Sequence, residues 1–229
     1  MRLLQGVHRH QRRLHDVKGR GGTRVFAVRG RRLGKNALWA TVEALQSGGV
    51  VIFPTDTVYG LAAGVFRPGA IRRIYRLKGR SLKKALPFLA ADLDQALALV
   101  EPPDRKLRAL LKKYWPGPLT VVFKTSSLGR WTTGGKETLA VRVPDCPVTR
   151  AILRAMGQPL AVTSANRSGF PDAATGAAAR REFDGRVDVI VDGGKCPGGV
   201  ASTVLDVSSA AWTLVREGAV PKKDLLKFL

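Results

Sequence analysis

From Thr23 onward, short runs of β-branched and aliphatic residues alternate with stretches of helical period, which is the pattern of an α/β chain. Strands are predicted at 24–28, 50–53, 87–90, 119–124, 138–143, 160–163, 187–191, 203–207 and 212–216. Leu38, Val42 and Leu45 recur at helical spacing in a helix that Gly48 and Gly49 stop. Ile71, Ile74, Tyr75 and Lys78 mark a second helix, and Asp92 with Gln95 three residues later resembles a capping box opening a third. Further helices are predicted at 103–114, cut off by Pro116 and Gly117, and at 147–156, 175–183 and 221–229. No internal repeat, low-complexity tract or long linker divides the chain.

The first 22 residues stand outside this pattern. They hold all three histidines (His8, His10 and His15), six basic residues and one acid, and no apolar period. They read as a flexible basic arm, with an organelle presequence as the alternative. The expected division is therefore an arm at 1–22, a catalytic domain at 23–220, and a C-terminal helix or tail at 221–229.

Composition sharpens the picture. With 229 residues, 45% of them hydrophobic, the chain can bury a substantial core. Thirty-nine Lys plus Arg against seventeen Asp plus Glu give a net charge of +22. About +17 remains without the arm, so the charge is built into the fold and calls for a polyanion such as RNA or nucleotide phosphates. Two cysteines, Cys146 and Cys196, with no CxxC spacing and no secretory segment, exclude a disulfide scaffold and a Cys-rich zinc site. A reducing, cytoplasmic compartment is expected. No apolar run approaches the roughly 18 to 20 residues needed to cross a bilayer, so a soluble chain with no membrane partner is expected.

Three segments carry candidate chemistry. Between Asp56 and Asp92 there is no carboxylate, while Arg67, Arg72, Arg73, Arg76, Lys78, Arg80, Lys83 and Lys84 supply eight positive charges. An exposed helix face accounts for Arg72, Arg73 and Arg76. Lys78, Gly79 and Arg80 fall where the helix ends, and there two cations two residues apart can close on one phosphate. Ser164, Ala165 and Asn166, with Ser168 and Gly169, follow a strand and offer donors where α/β sheets bind ligands; an Asx or Ser turn reads the same residues equally well. Asp192-Gly193-Gly194, then Pro197-Gly198-Gly199 and Ser202-Thr203, form a second such passage, a ligand wrap or a plain connection. There is no P-loop and no Rossmann glycine fingerprint, and no histidine beyond the arm is available as a general base. Catalysis by positioning and by cations remains, as in phosphoryl or nucleotidyl transfer.

Taken together these residues resemble the YrdC/Sua5 family, the threonylcarbamoyl-AMP synthases of the tRNA t6A pathway. Pro54-Thr55-Asp56-Thr57-Val58-Tyr59-Gly60-Leu61 matches the family's opening signature and Lys78-Gly79-Arg80 its Lys-x-Arg. Trp115-Pro116-Gly117-Pro118-Leu119-Thr120, Ala140-Val141-Arg142-Val143-Pro144, Thr163-Ser164-Ala165-Asn166, Asp192-Gly193-Gly194 and Ser202-Thr203-Val204 follow in the family's order.

The resemblance implies an α/β fold, an open twisted mixed β-sheet with flanking helices and a large basic concave face. It implies an L-threonylcarbamoyladenylate synthase: threonine's amino group takes up bicarbonate, the carbamate oxygen attacks the α-phosphate of ATP, and pyrophosphate leaves. Mg2+ would arrive with ATP, with no metal site built from protein side chains. Carried over residue by residue, the threonine pocket would use Thr57, Arg142, Val162 and Ser202. The ATP side would use Lys78 and Arg80, also named as catalytic, with Thr138, Ser164, Asn166 and Arg216, and with Lys84 and Asp172 as weaker candidates. Arg142 suits a two-pronged grip on a carboxylate. Partners would be tRNA or double-stranded RNA and the downstream threonylcarbamoyl-transferase proteins. Ser81 and Ala85 depart from prolines common in the family, and a chain stopping at Leu229 would be the single-domain type. Two alternatives use the same basic face: a non-catalytic binder of double-stranded RNA or a ribosome-maturation protein, and, more remotely, a carbamoyltransferase of hydrogenase maturation.

Overall fold

The computed structural model describes residues 17–18 and 22–228. Its strands are β1 (Val17–Lys18), β2 (Arg24–Ala27), β3 (Val51–Phe53), β4 (Gly60–Gly64), β5 (Phe88–Leu89), β6 (Leu119–Lys124), β7 (Thr138–Arg142), β8 (Leu160–Ser164), β9 (Val189–Asp192), β10 (Thr203–Asp206) and β11 (Thr213–Arg216). The helices are α1 (Lys35–Gln46), α2 (Pro68–Lys78), α3 (Leu93–Leu97), α4 (Arg105–Tyr114), α5 (Ser127–Thr132), α6 (Pro147–Met156), α7 (Gly176–Phe183) and α8 (Lys222–Leu225), the last running into a 3-10 turn at Leu226–Phe228. Among the described residues all the strands join one mixed sheet in the order β1-β2-β9-β3-β4-β8-β5-β7-β6-β10-β11.

Most elements lie where the apolar pattern puts them, for local reasons. Asp92 caps α3 by accepting from Gln95 N at 3.0 Å, and Gln95 Oε1 accepts in return from Ala91 N at 2.9 Å. α2 stops because Gly79 takes the left-handed conformation, φ +60°. The apolar pattern does not predict three elements, β1, β4 and α5. β4 is Gly-Leu-Ala-Ala-Gly, a composition with little strand preference, and it exists because it lies between β3 and β8, both antiparallel to it, with all five residues buried. α5 has no apolar period; Ser126 opens it by accepting from Gly129 N at 3.1 Å. The predicted strand at 160–163 also runs on through Ser164. Of the basic arm, Val17 and Lys18 pair antiparallel with Val25 and Arg24, and residues 1–16 and 19–21 lie outside the described residues.

Alternation along the strands sorts the core into two layers. Ile52, Leu61 and Ile190 face one way, onto α2, α4 and α7 through Ile74, Leu110 and Phe183. Val51, Phe53, Ala62, Val162 and Val189 face the other, where the helices contributing among the described residues are α1 and α6, through Leu45 and Ile152. These two helices cover the half of that face made by β9, β3, β4 and β8. On the other half, β7, β6, β10 and β11 present Arg142, Thr120, Val204 and Arg216 in place of core residues. A cavity forms there.

Candidate functional site

Strand register assembles the cavity. Leu89 of β5 lies opposite Arg142 of β7, the β6–β7 register brings Arg142 level with Thr120, Thr120 pairs with Val204 of β10, and Val204 with Arg216 of β11. One row of side chains thus crosses five neighbouring strands on one face. These residues line a recess of about 340 Å3, closed by Thr55, Thr57, Arg80, Val162, Ser164 and Ser202. Eleven residues from distant parts of the chain would be hard to converge by loops; here a sheet does it, and sheet-borne positions are rigid.

Arg142 is the centre of this arrangement. Only 5% exposed, it donates from Nε to Gly117 O (2.9 Å), from Nη1 to Thr57 Oγ1 (2.9 Å) and from Nη2 to Asp56 Oδ1 (2.5 Å). Thr57 Oγ1 in turn lies 3.0 Å from Thr55 Oγ1, which donates to Val58 O at 2.6 Å. Burial pushes the guanidinium pKa down, while Asp56 opposes it and Arg216 adds to it. Three of the five guanidinium hydrogens are committed, so two remain for a ligand. Across the cavity Arg216 donates to Ser202 O (2.7 Å from Nη2), and Ser202 Oγ lies 2.8 Å from Thr120 Oγ1.

The signature loop is fastened to the glycine passages. Tyr59, fully buried, donates from its hydroxyl to Gly194 O at 2.8 Å and accepts from Gly193 N at 2.9 Å; burial raises its phenol well above the ordinary value. Gly198 N and Gly199 N donate to Asp56 O and Thr57 O at 3.0 and 2.8 Å. The second glycine passage is therefore a strap over the segment that positions Arg142.

Lys78 takes a different place from the open phosphate clamp suggested by its spacing to Arg80. It is 3% exposed, and its ammonium donates to Ser164 O (2.5 Å), Asn166 O (2.6 Å) and Asn166 Oδ1 (2.9 Å). Ser164 Oγ donates to the same Oδ1 at 2.6 Å, and Ser168 N to Lys78 O at 2.8 Å. Burial pushes the Lys78 pKa down to about 8, with Asp172 opposing and Arg80 adding. Arg80 lines the cavity, its guanidinium donating to Lys84 O and Ala85 O at 3.2 and 3.1 Å.

Of the sequence-named residues, Thr57, Arg80, Arg142, Val162, Ser164, Ser202 and Arg216 line one cavity. Lys78 and Asn166 stand behind its Ser164 wall, and Asp172 is close enough to act on the Lys78 charge. Lys84 is exposed and contributes its carbonyl to Arg80. Thr138 begins β7 on the same strand face as Arg142, four residues or about 13 Å away. The sequence alone assigns no role to Asp56, Thr55 or Thr120. The usable signal for Asp56 was an acid within a signature otherwise of hydroxyl, apolar and glycine residues, followed by 35 positions without another carboxylate.

The Sua5/YciO/YrdC family profile, described as telomere recombination, matches residues 43–218 and so includes every residue of this site. The chain belongs to this family. It is 39% identical over 183 residues to threonylcarbamoyl-AMP synthase of Bacillus subtilis, covering 79% of this chain and 53% of that one. The structure of Pyrococcus abyssi Sua5 complexed with L-threonine superposes with a TM-score of 0.83 at 33% identity, over 90% of this chain and 60% of that one. Escherichia coli YciO superposes at 0.80 with 26% identity, over 90% of this chain and all of that one. The chain spans about half the length of its Bacillus subtilis and Pyrococcus abyssi relatives, 53% and 55%. No helix among the described residues is long and apolar enough to cross a membrane.

Proposed function

We propose that the chain is an L-threonylcarbamoyladenylate synthase, making threonylcarbamoyl-AMP and pyrophosphate from L-threonine, bicarbonate and ATP for tRNA t6A modification. The observation that carries this reading is Arg142: a buried guanidinium held on three sides, with two hydrogens free, in a cavity that also presents Ser202, Arg80 and Arg216. The chain's similarity to Pyrococcus abyssi Sua5, solved complexed with L-threonine, supports threonine as the substrate for this cavity.

In this mechanism Arg142 holds the threonine carboxylate, while Ser202 and Thr120 offer hydroxyls to its polar side chain. Val162 covers the methyl side. The amine attacks bicarbonate, water leaves, and a carbamate forms. A carbamate oxygen then bonds to the α-phosphorus as the bond to the pyrophosphate oxygen breaks. Arg80 and Arg216 stabilise the negative charge that gathers on the phosphate oxygens. Lys78 keeps the Ser164–Asn166 turn in shape beside the nucleotide, and Thr138, Lys84 and Asp172 would meet its outlying groups.

Among the described residues no group of three His, Cys, Asp or Glu side chains gathers to hold a metal. Mg2+ would arrive with the ATP substrate, bound through phosphate oxygens. Residues 23–220 would be the catalytic unit with 221–229 as its tail, working in the cytoplasm with tRNA and downstream threonylcarbamoyl-transferase proteins as partners.

The deciding experiment is pyrophosphate release from ATP with bicarbonate and L-threonine, each omitted in turn. Release that needs all three is expected. Release indifferent to threonine would overturn the reading, and no release under any condition would leave the RNA-binding alternative.

A further inference from the structure

The Trp115–Gly117 segment belongs to two recesses. Gly117 O holds Arg142 at the cavity already described, whereas Trp115 and Pro116 line a second recess of about 330 Å3 that shares no lining residue with the first. That volume is within the range of small-molecule sites. Its floor is apolar, formed by Trp115, Pro116, Leu111 and Val143. Its rim is cationic. Arg108 and Lys112 reach it from α4 and Arg150 from α6.

The three charges are gathered with little to balance them. Arg108 and Lys112 stand four residues apart on one helix face, an arrangement that is unfavourable for like charges unless an anion sits between them. Among the described residues none of the three makes an ion pair. Arg108 commits Nε to Pro103 O at 3.0 Å, and Arg150 commits Nε to Ala91 O at 3.1 Å. These bonds fix each side chain yet leave its terminal amino groups free of protein acceptors among the described residues. The one acid at the rim, Asp92, is engaged through Oδ1 in capping α3.

We propose that this recess is a second binding site, for a small organic anion whose apolar body rests on Trp115 and Leu111 and whose acid group meets Arg108, Lys112 and Arg150. A solvated basic surface would need no apolar floor, and an apolar floor alone would need no three cations from two helices. Together they describe an amphipathic anion, with the charge-assisted contacts setting orientation and the floor supplying desolvation.

The test uses the full chain and the dye anilinonaphthalene sulfonate, an aromatic body with one acid group, followed by fluorescence. Arg108→Ala combined with Lys112→Ala removes two charges at exposed helix positions where Ala is well tolerated. Saturable dye binding is expected to weaken at least about tenfold in this variant with the melting temperature held. Uncharged phenylnaphthylamine should bind both proteins alike. Arg150→Gln, which keeps a donor toward Ala91 O, is a second variant should the first fold poorly, and the same loss is expected. Arg216→Ala, in the other cavity, should leave dye affinity unchanged. Equal dye affinity in the unaltered protein and in both rim variants, or loss on Arg216→Ala instead, would overturn the site.

Discussion

Asp56 and Arg142 form a buried ion pair: Oδ1 lies 2.5 Å from Nη2, the side chains are 10% and 7% exposed, and Asp56 Oδ2 has no partner among the described residues. Both charges are out of water, so each depends on the other. Asp56→Ala should cost about 3 to 5 kcal/mol, since it leaves a buried guanidinium unpaired. Asp56→Asn keeps an acceptor for Nη2 and should cost less. Chemical unfolding of both variants checks the order; no loss in either would mean that the pair does not constrain the fold.

For substrates, Arg142→Lys should weaken threonine binding more than ATP binding. An ammonium cannot reach Gly117 O, Thr57 and Asp56 while also presenting two hydrogens to a carboxylate. A rise in the threonine requirement of at least about tenfold is expected, on the order of 1.5 to 3 kcal/mol for charge-assisted contacts. Titration of each substrate at saturating levels of the other measures it. Equal losses would point to general damage.

Lys78 predicts opposite pH trends for stability and activity. Its folded pKa, about 8, lies below the ordinary 10.5, so between these values the unfolded chain binds more protons and the Lys78 contribution to stability rises with pH. Activity should fall over the same window. A neutral amine has two hydrogens for the three acceptors on Ser164 and Asn166, and the turn proposed to flank ATP loosens. Turnover measured from pH about 7 to about 9.5, with melting curves alongside, tests this. Lys78→Ala or Arg80→Ala should lower turnover at least about 100-fold.

Gly198 predicts action at one remove. A Cβ there would meet Asp56 O at 2.7 Å and Thr57 Cα at 3.3 Å, so Gly198→Ala must push the segment that anchors Arg142. The expected result is overpacking of about 1 to 3 kcal/mol and a raised threonine requirement, with ATP affected less. Differential scanning calorimetry and threonine titration read the two effects separately. No change in either would show that the strap yields without moving Arg142.

The charge of +22 exceeds what one nucleotide needs. Weak binding of tRNA with little sequence preference is expected, fading by orders of magnitude between about 50 and about 200 mM salt. Fluorescence anisotropy with labelled tRNA measures it. Deleting residues 1–16, which leaves β1 in place, should lower both affinity and salt slope while sparing pyrophosphate release; no binding at the lower salt would end the RNA proposal.

The chain by itself determined the elements whose signals are local. α6 begins at Pro147 and ends before Gly157, and β6 is a continuous run of strand-forming residues, so both were read to the residue. The signature, the Lys-x-Arg and the Ser-x-Asn turn are likewise legible as motifs, and the fold brings all three to one cavity or its wall. Tertiary structure decided the rest. β4 is a strand only between its neighbours, and a Cβ on Gly129 of α5 would run into Leu99 O, a constraint no local pattern records. It also decided which way each charge points. Lys78 and Arg80 are two residues apart, yet one ammonium is buried against Ser164 and Asn166 while the other cation lines the cavity. Asp56 became the partner of Arg142 across 86 positions of chain. Strand register, which depends on pairing between segments distant in sequence, puts Arg142, Thr120 and Arg216 in one row, and only the folded sheet contains that information.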